Sequence, residues 1–64
     1  MITAKEVAEV KATKLFNTLL VMRMNVGIYN IYSFKYGKKE LRLQGGSPEE
    51  VAKFINGFYG YAWR

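Results

Sequence analysis

Sixty-four residues, half of them hydrophobic, carry ten Lys or Arg against five acidic residues, for a net charge of +5. Cys and His are absent and every acid is a Glu, which removes disulfides, thiolate chemistry, imidazole bases and the usual zinc sites, and leaves few parts for an enzyme. One domain covering residues 1–64 is expected, with no cofactor and no metal; so small a core is stabilised by self-association or a partner, and a homodimer is the default.

Thr3 followed by Glu6 has the capping-box spacing, so a helix starts at Ala4. Ala8, Ala12, Leu15, Phe16, Leu19 and Met22 recur at helical spacing and extend it to about Met22. Val7, Val10 and Val21 lie off that stripe and call for a second apolar contact. Arg23 would enter the stripe, and Asn25-Val26-Gly27 supplies an exit turn. A second choice ends the helix near Phe16 and makes 18–24 a strand, in the order α-β-β-β-α.

Residues 28–44 read as a β-hairpin. Gly37-Lys38 suits a type II′ turn flanked by Tyr36 and Lys39. That register sets Lys35 opposite Glu40, Phe34 opposite Leu41 and Tyr32 opposite Leu43. Tyr32, Phe34, Leu41 and Leu43 then form the covered face, with Tyr29, Ile31, Ser33, Lys35, Arg42 and Gln44 outside. Gly45-Gly46 ends the strand. Ser47-Pro48-Glu49-Glu50 is a strong helix start, with the N-cap Ser, Pro at N1 and acids at the positive end. Val51, Phe54, Ile55, Phe58 and Tyr59 repeat at helical spacing and make a core-facing stripe. The expected fold is α+β, in the order α-β-β-α, with two helices over one face of the hairpin.

Charge is uneven along the chain. The hairpin is the densest cationic segment, with Lys35, Lys38, Lys39 and Arg42 against Glu40, while Lys53 and Arg64 merely balance Glu49 and Glu50 after residue 46. The close acid pairs, Glu6 with Glu9 and Glu49 with Glu50, sit in first helical turns where capping explains them. Gly45-Gly46 lacks the lysine and spacing of a phosphate-binding loop. The longest apolar run, Leu19-Leu20-Val21-Met22, is far below the ~20 residues of a membrane span. With no secretory signal in view, a cytoplasmic, non-membrane protein is expected.

Two binding roles follow. The first is a regulator that binds DNA or RNA through Lys35, Lys38, Lys39 and Arg42, with Tyr29 offering a ring to a base or sugar. The second is an inhibitor or adaptor of a larger protein target, acting through Tyr61, Trp63, Ile31, Val7 and Val10, since aromatics beside an Arg are enriched in hot spots. An origin in a phage or mobile element suits both.

Overall fold

The computed structural model describes residues 1–60. Its elements run α1 (Ala4–Ala8), β1 (Thr13–Phe16), β2 (Leu19–Asn25), β3 (Ile28–Lys35), β4 (Lys38–Gly46) and α2 (Pro48–Tyr59). The α+β class holds, and the order is α-β-β-β-β-α. The four strands form one antiparallel meander, β1-β2-β3-β4, with both helices on the same side.

The first helix starts where its capping box places it. Thr3 Oγ1 accepts from the Glu6 amide at 3.2 Å, and Glu6 Oε1 accepts from the Thr3 amide at 3.2 Å. It stops at Ala8 rather than continuing to Met22. Its C-cap is Glu9; farther on, Asn17 takes a left-handed conformation (φ 62°) and with Thr18 turns β1 back on β2. Phe16 then pairs with Leu19 and Leu15 with Leu20. Of the expected helical stripe, Leu15, Phe16, Leu19 and Met22 lie in two strands while Ala8 stays in α1, and the second choice located one of those strands.

The β3–β4 turn also departs from expectation. Tyr36 and Gly37 both have positive φ (53° and 75°), the requirement of a type I′ turn. The turn is therefore Tyr36-Gly37, and Lys35 faces Lys38, Ser33 faces Glu40 and Tyr32 faces Leu41. Farther along, Arg42 has no partner between the pairs Tyr32–Leu41 and Ile31–Leu43. This bulge returns Leu43 to the side of Ile31. β4 continues through the glycines to Gly46, where a Cβ would lie 2.6 Å from Leu43 Cδ2, so glycine admits that close approach.

The sheet is covered on the face opposite to the one expected. Phe16, Leu19, Val21, Tyr29 and Ile31 are buried against Val7 and Val10 at the N-terminal end and Val51, Ala52 and Ile55 of α2. Tyr32, Phe34 and Leu41 lie on the other side, and only Leu43 of the expected four packs inward. The α2 cap forms as read: Ser47 Oγ accepts from the Glu50 amide at 3.3 Å and Glu50 Oε1 from the Ser47 amide at 2.9 Å. Phe58, assigned to the core by its spacing, is 48 % exposed.

Candidate functional site

The meander separates two surfaces at the β3–β4 hairpin. Side chains alternate across a strand, so Lys35, Lys38, Glu40 and Arg42 share the helix side with Ser33. All four project beyond the cover of the helices and are exposed. Lys39, opposite Phe34, points to the bare side and sets its ammonium 4.7 Å from the Tyr32 ring centroid. The four candidate cations are thus brought to one hairpin, three on its helix side and one on its open side.

Their arrangement is costly to the fold. Lys35 and Lys38 are cross-strand neighbours, and like charges directly opposite are destabilising, although Lys35 Nζ stands 5.7 Å from the Tyr36 ring centroid. Glu40 does little to offset them: its carboxylate is 3.9 Å from Arg42 Nη2, and both side chains are exposed, a geometry in which an ion pair contributes little. Arg42 is the oriented member. Its Nε donates to Ser33 Oγ at 2.7 Å while its Nη2 stands near the Glu40 carboxylate, so the guanidinium is held at two points on an exposed side chain. Fixed planar forks of this kind match phosphate oxygens.

Charge is segregated by layer as well. Residues 13–46 hold Lys14, Arg23, Lys35, Lys38, Lys39 and Arg42 against Glu40 alone, so the whole +5 belongs to the sheet. Each flanking segment has two cations and two glutamates and is neutral.

Tyr29 takes no part in this surface. It is 2 % exposed, and its hydroxyl donates weakly to the carbonyls of Ala8 and Val10, both at 3.5 Å, tying the end of α1 to β3. Val7, Val10 and Ile31, read as a protein-binding surface, are core residues. Tyr61 and Trp63 lie outside the described residues.

The surface that sequence reasoning missed is the open side of the sheet. One row crosses all four strands there: Leu15–Leu20–Tyr32–Leu41. Leu15 is 56 % exposed and Leu41 49 %. Met22 and Phe34 flank the row, Phe34 at 49 % exposure, and Met24 and Ile28 stand exposed at the β2–β3 end. The signal lay in the composition, since strands apolar at consecutive positions have two apolar faces and the helices can cover one.

Set against family models, curated proteins and solved structures, the chain has no match in any of the three. Among the described residues, no group of three or more acid, His or Cys side chains gathers as a metal site, and no helix is long and apolar enough to cross a membrane. One apolar recess of about 190 Å³ lies, among the described residues, between Ile2, Phe16, Asn17, Ile55 and Tyr59, and a shallower one of about 410 Å³ is lined by Leu43, Glu50, Lys53 and Phe54. Among the described residues, the hairpin cations and the open face are two exposed clusters that a partner can contact.

Proposed function

We propose that this protein is a small non-enzymatic nucleic-acid-binding module, which contacts phosphates through Lys35, Lys38, Lys39 and Arg42 of the β3–β4 hairpin. The observation that carries this reading is the placement of the entire net charge on the sheet, with a like-charge pair held opposite at the hairpin end. A pair that weakens the isolated domain gains favourable contacts when an anion lies across it. Phosphate contact of this kind is sequence-tolerant and strongly salt-dependent.

The test is fluorescence anisotropy with labelled single- and double-stranded DNA and RNA over a salt series. Steep weakening with salt, and near-complete loss of binding on Lys38→Glu with Lys39→Glu, is the expected result. Absence of binding to every probe at low salt sinks the reading.

A second reading, a protein-binding module, is favoured by the open apolar face. Binding that survives hairpin charge reversal but is lost on Leu20→Glu would select it.

A further inference from the structure

We infer that a second copy of this chain covers the open face of the sheet, the two copies packing sheet against sheet. This inference stands on the apolar face alone and does not depend on the nucleic-acid reading.

Outward positions on that side include Leu15, Leu20, Met22, Tyr32, Phe34 and Leu41, interrupted by Lys39 and by the polar Thr13 and Asn30. A solvated antiparallel sheet normally alternates apolar inside with polar outside; this one is predominantly apolar on both sides. Strands at about 4.8 Å spacing and outward positions at about 6.7 Å, with one row spanning all four strands, give a projected footprint on the order of 400 Å². Side-chain relief adds to that projected figure, which sits within the range of the largest patches on monomers and is about half of the ~800 Å² per partner of a standard interface.

The pattern is compatible with itself. The row Leu15–Leu20–Tyr32–Leu41 spans the sheet from edge to edge, so a two-fold axis between the layers lays apolar side chain on apolar side chain. Lys39 sits beside the β3–β4 turn, where it can reach solvent at the rim. Two sheets packed this way lie about 10 Å apart with strands within about 30°.

Edge-to-edge pairing is the competing route to a dimer, and the edges are guarded. β1 is four residues long, while β4 is interrupted by the bulge at Arg42 and begins with Lys38 and Lys39, devices that discourage strand addition. Lys35, Lys38 and Arg42 lie on the helix side, so face pairing leaves them uncovered and the dimer displays two basic hairpins.

Sedimentation equilibrium of the full chain, from low micromolar to submillimolar concentration, tests this. The expected mass is twice the 7.4 kDa chain, with Leu20→Glu and, separately, Leu41→Lys shifting the protein to monomer while far-UV circular dichroism is retained. Leu41 is half exposed at an edge strand, so its variant folds even if Leu20→Glu does not. A wild-type monomer throughout would overturn the inference and assign the face to a different partner. A dimer that persists in both variants would overturn it as well, placing the contact at an edge or a helix. Because Lys38 lies on the helix side, Lys38→Glu alone reads nucleic-acid binding without touching this face, and either proposal can fail without the other.

Discussion

The side-chain amide of Asn56 closes a two-bond ring on the backbone of Ile2: its Oδ1 accepts from the Ile2 amide at 2.8 Å and its Nδ2 donates to the Ile2 carbonyl at 2.8 Å. The pairing copies one rung of a β-ladder. It joins the N-terminus to α2 across 54 residues of sequence and satisfies a buried amide. Asn56→Asp keeps the shape and the acceptor but sets a carboxylate oxygen against the Ile2 carbonyl. A loss of about 1–3 kcal/mol is expected, measured as a lower urea midpoint with an unchanged m-value. An unchanged midpoint would show that this pairing contributes nothing to stability.

Tyr59 ties the other end of α2 to the β1–β2 turn. Its hydroxyl accepts from the Thr18 amide at 2.9 Å and lies 3.2 Å from the Phe16 carbonyl and 2.8 Å from Thr18 Oγ1. Tyr59→Phe removes these contacts without changing the ring. The Thr18 amide is exposed and can turn to water, so the expected cost is only about 0.5–1.5 kcal/mol. Hydrogen exchange should localise the effect: the Thr18 amide loses protection, while the amides of β3 keep theirs.

The helix starts at Ala4 and Pro48 were legible because capping boxes are local chemistry, written in Thr3 with Glu6 and in Ser47 with Glu50. The path between Val10 and Asn25 was not. Leu19, Leu20, Val21 and Met22 are apolar without alternation, and a continuous apolar run carries no period to separate strand from helix. The same ambiguity inverted the faces of β3. Tyr29 and Ile31 compete with Tyr32 and Phe34 as core candidates, and only the packing of Val7, Val51 and Ile55 on the first pair decides between them. Thus the double-faced hydrophobicity that marks the open surface also obscured the strands bearing it. The basic hairpin itself was legible, because Lys35, Lys38, Lys39 and Arg42 stay together in either register. What changed is their ring partner: Tyr29 is buried, and Tyr32 lies beside Lys39 on the opposite side from the other three cations.

Tyr36 is an unfavourable residue in its position. It occupies the left-handed region at φ 53°, followed by Gly37 at φ 75°, and is 93 % exposed. Asn-Gly is the preferred pair in such turns, because Asn tolerates left-handed backbone far better than an aromatic residue. Tyr36→Asn is expected to raise stability by about 0.5–1 kcal/mol, visible as a thermal midpoint several degrees higher for a domain of this size. A lower midpoint would mean that the Tyr36 ring makes contacts worth more than the backbone strain it imposes. If the same variant weakens nucleic-acid binding, the strained Tyr is retained for that contact.

Lys38 and Arg42 should contribute differently to binding, although each carries one charge. Lys38 is a mobile ammonium at the turn, whereas Arg42 is held by its Nε bond to Ser33. Each phosphate contact removed should lower the magnitude of the slope of log K against log salt by about 0.9 on duplex DNA. Lys38→Ala is therefore expected to reduce the slope by no more than one contact and to weaken all sequences alike. Arg42→Lys keeps the charge, and with it most of the slope, but loses the bond to Ser33 and the planar fork. Its loss should appear as weaker binding at every salt concentration, and Ser33→Ala should reproduce part of that loss without altering any charge. If Ser33→Ala binds as the wild type does, the orientation of Arg42 is irrelevant to the contact and the hairpin acts by charge alone.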